Sequence, residues 1–374
     1  MNGLLARALA PALVVASCLM TSAAHARPAV EVAFVLDTTG SMASLIEGAK
    51  RKIWSIATTI VDENPGADIR MGLIAYRDIG DEYVTQRIEL TADIQDLYAR
   101  LLELKARGGG DWPESVNEAL HEGITKLSWT QGPEISRIVF LVGDAPPHMD
   151  YKQDMKYPQV MKIARERDIV VNAVQAGEAR DTTRTWREIA QMGGGDYIPI
   201  PQDGGKLVVI ETPFDIEIIE LQEKLNGTVI PYGPRTRRSS VEQKTRQVTS
   251  VAAASPSSAA DMAGYLNKRS RKANAGETIT GDGDLVADVA AGRKALSAVD
   301  ENELPDELRA LPPAARQIMV TKRATERTAL TARMTELVTR RDAFIADRQK
   351  KEPVRTGDSF DRAVQSTLKA QIRR

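Results

Sequence analysis

The feature that most restricts the fold is a regular alternation of short apolar segments with longer segments of helical periodicity. Residues 30–36 and 137–142 are dominated by β-branched and other apolar residues, as expected for strands buried on both faces. Residues 44–62 space their apolar side chains as an amphipathic helix does. Repeated strand–helix units predict an α/β, Rossmann-like fold with a mostly parallel central sheet and helices on both faces.

The same pattern continues to about residue 233. Further strands are predicted at 69–76, 83–90, 169–174 and 197–200. Helices are predicted at 94–105, 114–126, 158–167, 184–192 and 214–225. Residues 83–90 mix apolar and polar side chains, which is typical of an edge strand with one wet face. The compact domain is therefore assigned to residues 29–233.

The remainder of the chain changes in character. Residues 234–280 are rich in Ser, Ala, Arg and Lys and poor in large apolar residues, which predicts a partly disordered linker. Residues 281–374 are polar and helical, with a long amphipathic helix at 316–348 whose apolar face begins at Ile318. We expect this helical region to dock on the domain, to associate with a second copy as a coiled coil, or to reach another protein.

Residues 1–26 have the pattern of a secretory signal peptide. Arg7 precedes an apolar run, and Ala24-His25-Ala26 offers a cleavage site, so a periplasmic or secreted bacterial protein is expected. The alternative is a lipid anchor, because Val15-Ala16-Ser17-Cys18 resembles a lipobox. Cys18 is the only cysteine, so cleavage after Ala26 would leave neither disulfides nor a thiolate nucleophile. No later segment predicts a membrane span.

Three polar loops contain the candidate metal ligands. Asp37, Thr39 and Ser41 follow the first strand, a Gly-rich loop contains Asp111 and Glu114, and Asp144 follows the strand at 137–142. In such a sheet, ligands bind at the carboxyl ends of the strands. Carboxylate and hydroxyl oxygens suit Mg²⁺, Mn²⁺ or Ca²⁺ rather than zinc or copper. The loops therefore predict a divalent-cation site at that edge.

This Asp-x-Thr-x-Ser pattern, followed by a Gly-rich loop and a later aspartate, resembles the metal-ion-dependent adhesion site of the von Willebrand factor A family. The resemblance covers about residues 30–233 and implies that Thr39 and Ser41 bind the metal directly. It also implies that Asp37 and Asp144 act directly or through water. The family's second loop usually donates a threonine, which this chain lacks there, so Asp111 is the expected substitute and Glu114 the second choice.

The resemblance implies a cation-dependent protein-binding module without catalytic residues, whose partner completes the coordination through an acidic side chain. A second hypothesis is a structural or assembly scaffold in which the metal loop only stabilises the fold. A third is a metal-dependent hydrolase, for which His148, Glu114 and Asp111 are the only candidate bases. Nucleic-acid binding is not expected, because the net charge is -1 and the tryptophans do not alternate with basic residues.

Overall fold

The computed structural model describes residues 29–205, 209–271, 280, 282–351 and 359–372, so the predicted signal segment and Cys18 lie outside it. Six strands form one sheet in the order β3-β2-β1-β4-β5-β6, in which only β3 is antiparallel to its neighbour. The strands are β1 (Ala29–Asp37), β2 (Asp68–Tyr76), β3 (Thr85–Thr91), β4 (Ile135–Gly143), β5 (Ile169–Ala176) and β6 (Gly194–Ile200). The predicted α/β class and edge strand are confirmed.

Twelve α-helices accompany the sheet within the described residues. The first six are α1 (Ala43–Glu63), α2 (Ile94–Glu103), α3 (Val116–Thr125), α4 (Tyr157–Glu166), α5 (Arg180–Gly193) and α6 (Asp215–Gly227). The remaining six are α7 (Arg235–Ala254), α8 (Pro256–Ser270), α9 (Leu285–Ala290), α10 (Asp306–Arg309), α11 (Pro313–Lys351) and α12 (Phe360–Ile372).

Each face of the sheet is covered by its own hydrophobic core. Side chains alternate along a strand, so Phe34 of β1 belongs to one core and its neighbour Val35 to the other. The Val35 side is covered by α3, α4 and α5. The Phe34 side is covered by α1, α2, α8 and α12, and Phe34 stacks on Phe140 at 5.5 Å between ring centroids.

The segment expected to be a linker is helical where the structure describes it. Helices α7 and α8 occupy residues 235–254 and 256–270, and α8 packs against α1. Ala259, Ala263 and Gly264 of α8 are small and buried, so the helix can approach its neighbours closely. Its few large apolar side chains, Met262, Tyr265 and Leu266, enter the core. Composition alone could not predict this packing, because a few large apolar side chains among many small ones are enough to bury a helix that approaches its neighbours closely.

The C-terminal helices pack back onto the rest of the molecule. The long predicted helix is present as α11, which contacts α6 and α8. Its apolar face differs from the prediction at its start, because Ile318 is 69% exposed whereas Val320 is buried. Arg341 pairs with Asp215 and Asp261 at 2.7 Å each, which ties α11 to both contacted helices.

Helix α12 completes the core beside β1, where the Phe360 ring lies 6.3 Å from that of Phe34. The core on this face thus combines residues from the predicted domain at 29–233 with residues from the predicted helical region at 281–374. None of the helices in the part of the chain that the structure describes is long and apolar enough to cross a membrane.

Candidate metal centre

The strand order creates a crevice at the carboxyl ends of β1 and β4. These two strands are neighbours at the centre of the sheet, and the chain proceeds outward from them in opposite directions. Such a reversal point is where open α/β sheets bind ligands. Asp37 is the last residue of β1 and Asp144 directly follows β4. The topology therefore brings the first and third predicted loops to the same edge.

Asp37 is fully buried and only half of its carboxylate is satisfied. Its Oδ1 accepts hydrogen bonds from the Thr39 backbone N–H at 2.8 Å and from the Thr39 hydroxyl at 2.6 Å. The Ser41 hydroxyl oxygen lies 3.4 Å from that of Thr39. Asp37 Oδ2 is buried and has no hydrogen-bond partner among the described residues. A buried carboxylate oxygen without a donor is costly unless a cation approaches it.

Glu114 is the acidic residue that the second loop places beside Thr39. Gly109 has a φ of +85°, and a Cβ added there would lie 3.3 Å from both Glu114 Oε1 and Thr39 Cβ. The Glu114 side chain thus lies close to the first loop, with Gly109 next to both. Glu114 Oε2 is also buried and lacks a hydrogen-bond partner within the described chain.

The pKa values of these two carboxyls show how unfavourable their surroundings are for negative charge. Burial, partly offset by the Thr39 hydrogen bonds and reinforced by Asp144, raises the pKa of Asp37 to about 7. Burial, together with the negative charges of Asp37 and other carboxylates, raises the pKa of Glu114 to about 9. A divalent cation among these oxygens would reverse both effects, because its charge would stabilise the ionised carboxylates.

Asp144 holds the opposite side of the crevice. It is 4% exposed, and its Oδ2 accepts a hydrogen bond from Gln202 Nε2 at 2.6 Å. The preceding Gly143 packs tightly, because a Cβ there would lie 2.5 Å from the Tyr76 hydroxyl oxygen and 3.2 Å from Asp37 Cβ. A residue without a side chain is therefore required where β4 passes these neighbours.

We refer to Asp37, Thr39, Ser41, Glu114 and Asp144 as the Asp37 cluster. Its members offer carboxylate and hydroxyl oxygens, two of them buried and without hydrogen-bond donors. This donor set fits a hard divalent cation, which prefers oxygen ligands and shares its remaining positions with water.

Asp111, the expected substitute for the family's threonine, lies in a different group. Its carboxylate Oδ2 is 3.5 Å from His148 Nε2, and the same nitrogen is 3.5 Å from Asp78 Oδ2. One ligand atom from each of these residues lies within 4.8 Å of the other two. We refer to Asp78, Asp111 and His148 as the His148 cluster. The Asp111 side chain is 61% exposed, whereas those of Asp78 and His148 are buried.

Asp78 is a candidate functional residue that the sequence analysis missed. It follows β2 by two residues, so the rule that singled out Asp37 and Asp144 at strand ends would also have found it. Its Oδ1 accepts a hydrogen bond from the Ser115 hydroxyl and its Oδ2 one from the Tyr151 hydroxyl, both at 2.7 Å.

Comparison with known proteins gives a family match over the sheet domain. Residues 31–209 match the family model described as von Willebrand factor A domain. The chain is 34% identical over 143 residues to von Willebrand factor A domain-containing protein 7 of Rattus norvegicus, covering 37% of this chain and 14% of that protein. It is 29% identical over 129 residues to the alpha-protein kinase vwkA of Dictyostelium discoideum, covering 34% of this chain and 20% of the kinase.

The chain matches only 11% to 20% of the length of these and the other similar curated proteins, so their activities as whole proteins are not transferred. Among solved structures, the SpRpn10 VWA domain is similar over 47% of this chain and 89% of that chain, with 14% identity and a TM-score of 0.36.

Proposed function

We propose that the von Willebrand factor A domain at residues 31–209 is a protein-binding module that depends on a divalent cation. The Asp37 cluster holds the ion, which is Mg²⁺, Mn²⁺ or Ca²⁺, and leaves at least one coordination position open. The partner protein fills that position with an acidic side chain. Binding rather than catalysis is the role that we assign to the domain.

The observation that carries this proposal is that two buried carboxylate oxygens, Asp37 Oδ2 and Glu114 Oε2, accept no hydrogen bond from the described residues. Folding places two carboxylates in one crevice without protein donors for these atoms, which is unfavourable unless a cation compensates for the charge. Glu114 takes the position that the resemblance assigns to a threonine. A carboxylate there neutralises more of the ion's charge, so we expect tighter metal binding and a weaker pull on the partner's acidic group.

Exposed apolar side chains beside the crevice support the protein-binding part of the proposal. Ile79 and Met149 are each 50% exposed and Trp112 is 46% exposed. Each of them directly follows one member of the His148 cluster in the chain. Large apolar side chains and tryptophan in particular are typical anchors of protein interfaces. A partner that reached the ion would therefore also cover this apolar rim.

Calorimetric titration with Mg²⁺, Mn²⁺ and Ca²⁺ tests the metal site. We expect one ion per Asp37 cluster in the wild type and none in Asp37→Asn. Asp68 provides a matched control, because it is an exposed aspartate at the opposite end of the sheet, and Asp68→Asn should bind metal normally. Absence of binding by the wild type to all three ions would refute the proposal.

Crosslinked capture of partners from an extract of the source cells tests the binding role. Capture should require the divalent ion, disappear in EDTA and in Asp37→Asn, and persist in Asp68→Asn. If Asp37→Asn loses the metal-dependent gain in stability but captures the same partner, the ion only stabilises the fold. Turnover of a substrate lost on replacing Glu114 or His148 would instead favour the hydrolase.

We further propose that the protein is exported, on the basis of residues 1–26. Mass spectrometry of the mature protein distinguishes the two processing routes. Signal cleavage predicts Arg27 as the first residue, whereas lipidation predicts a diacylated Cys18 at the N-terminus. A mature chain that retains Met1 and residues 2–17 would contradict both routes.

A further inference from the structure

The His148 cluster places a buried imidazole nitrogen opposite two carboxylate oxygens. The side chain of His148 is only 7% exposed, and its Nε2 is buried with no hydrogen bond to any described residue. That nitrogen nevertheless faces two carboxylate oxygens, of Asp78 and Asp111, at 3.5 Å each. These distances exceed the usual 2.7–3.2 Å of an N–H···O hydrogen bond.

We propose that Asp78, Asp111 and His148 form a second metal site, which binds a divalent first-row transition-metal ion such as Zn²⁺. Its ligands are different residues from those of the Asp37 cluster, so it can bind an ion without the cation proposed there, although Asp78 is near enough to Glu114 for their charges to interact. Two carboxylates and one imidazole provide three protein ligands, and water completes the coordination. An imidazole nitrogen is a ligand that Zn²⁺ accepts readily and that Mg²⁺ and Ca²⁺ disfavour.

The separations in the His148 cluster match the geometry of such an ion. With metal–ligand bonds of about 2.0–2.2 Å, two ligand atoms at the corners of a tetrahedron lie roughly 3.3–3.6 Å apart. Both separations from His148 Nε2 are 3.5 Å, and the three ligand atoms all lie within 4.8 Å of one another, so an ion can bind between them once the Asp111 carboxylate closes on it. The exposed Asp111 carboxylate lies in the Gly-rich loop and can adjust to the ion.

The surrounding residues orient the imidazole as they do in known metal sites. His148 Nδ1 lies 2.8 Å from Asp150 Oδ1, and because a carboxylate accepts the hydrogen bond, Nδ1 carries the proton. In this tautomer Nε2 presents its lone pair to the two carboxylates. Metal-ligating histidines usually donate their second N–H to such a carboxylate. The His148 ring is further fixed by stacking on Tyr151, at 3.9 Å and an interplanar angle of 7°.

The buried carboxylate of Asp78 is also held in place by hydrogen bonds. Asp78 Oδ1 accepts a hydrogen bond from Ser115 and Oδ2 accepts one from the same Tyr151 that stacks on the imidazole. Tyr151 thus orients both buried ligands at once. Hydrogen-bonded outer residues of this kind fix ligand geometry before the metal arrives, which favours binding.

Calorimetric titration of the full chain with Zn²⁺ in an excess of Mg²⁺ tests the second site. We expect one Zn²⁺ per chain in the wild type and also in Asp37→Asn, which removes the first site only. His148→Gln and Asp111→Asn should each weaken Zn²⁺ binding at least about 100-fold. Asp150→Asn, which disturbs only the orientation of the ring, should weaken it about 10–100-fold.

Two measurements keep this test independent of folding defects. Asp111 is exposed, so Asp111→Asn should unfold at the same temperature as the wild type without metal. His121→Gln, which replaces a histidine of α3 outside the His148 cluster, should bind Zn²⁺ normally. The imidazole nitrogen resonances of His148 should shift on addition of Zn²⁺ and not on addition of Mg²⁺.

Three results would overturn the proposal. The first is no Zn²⁺ binding by the wild type. The second is equal Zn²⁺ binding by the wild type, His148→Gln and Asp111→Asn. The third is loss of Zn²⁺ binding in Asp37→Asn, which would mean that Zn²⁺ occupies the Asp37 cluster. Failure of Mg²⁺ to bind the Asp37 cluster would affect only the proposed function.

Discussion

Replacing Asp37 by asparagine should make the metal-free protein more stable at pH 8, although it removes the central residue of the Asp37 cluster. The substitution keeps Oδ1 as the acceptor for the two Thr39 hydrogen bonds. It replaces the charged Oδ2, which accepts no hydrogen bond from the described residues, by a neutral amide nitrogen. The buried negative charge is therefore lost with little change in shape.

The size of the effect follows from the pKa of Asp37, which burial raises from 3.8 to about 7. Each tenfold change in proton affinity is worth about 1.4 kcal/mol, so ionising Asp37 in the folded chain costs about 4 kcal/mol. The unpaired amide of asparagine costs about 1–3 kcal/mol. The net gain in the free energy of unfolding is then about 1–3 kcal/mol for Asp37→Asn at pH 8 in EDTA.

The gain should depend on pH in a defined direction. The folded chain holds the Asp37 proton more tightly than the unfolded chain, so the stability of the wild type falls as pH rises from about 4 through about 7. Asp37→Asn has no such proton. The advantage of the variant should therefore disappear near pH 4, where the folded chain holds Asp37 protonated and the ordinary pKa of 3.8 leaves this carboxyl only partly ionised in the unfolded chain.

Urea denaturation at pH 8 and pH 4, each in EDTA and in excess Mg²⁺, measures these free energies. At a Mg²⁺ concentration 100 times its Kd the wild type should gain about 2.7 kcal/mol, and Asp37→Asn should gain nothing. A variant that is less stable than the wild type at pH 8 in EDTA would refute the reasoning. So would an equal gain from Mg²⁺ in both proteins.

Three further predictions concern the packing around the site. Gly143→Ala should lower the free energy of unfolding by about 1–3 kcal/mol, because its Cβ would lie 2.5 Å from the Tyr76 hydroxyl oxygen; Tyr76→Phe in the same chain should recover most of that loss in urea denaturation, and no recovery would contradict the steric cause. A chain without residues 359–372 should lose on the order of 8 kcal/mol, because four large buried side chains contribute about 2 kcal/mol each; circular dichroism should show an unfolded chain, and a fully cooperative native transition would contradict this. Arg341→Met should cost about 3–5 kcal/mol, because it removes the guanidinium partner of the buried Asp215 and of Asp261, whose side chain is only 18% exposed; a loss below 1 kcal/mol in urea denaturation would contradict that mechanism.

The strands of the sheet can be predicted from the sequence because they are short, apolar and separated by helices with regular spacing. Every predicted strand of residues 29–200 overlaps an observed one, with ends that differ by a few residues. Residues 83–90 were predicted as an edge strand from their polarity, and β3 is indeed the antiparallel edge. Local periodicity determines such elements, so one sequence is sufficient to predict them.

The orientation of the Gly-rich loop cannot be predicted in the same way. The sequence places Asp111 and Glu114 three residues apart and does not determine which of them turns inward. Gly108 and Gly109 adopt φ values of +80° and +85°, which most other residues avoid, and the resulting bend brings Glu114 to Thr39. Asp111 points outward to His148. Backbone geometry rather than residue type therefore determines which of the two carboxylates lies beside the first loop.

The contribution of α12 to the main core has a consequence for how the chain is made. Phe360, Val364 and Leu368 pack in the same core as β1, although more than 300 residues separate them from it along the chain. During translation, β1 leaves the ribosome long before these partners exist, and its apolar neighbours stay incompletely covered until residues 360–372 have been synthesised. Contacts of such sequence separation close late and slowly. The nascent protein therefore reaches its native state only after residues 360–372 have emerged, and until then the apolar surface that they cover is exposed to aggregation.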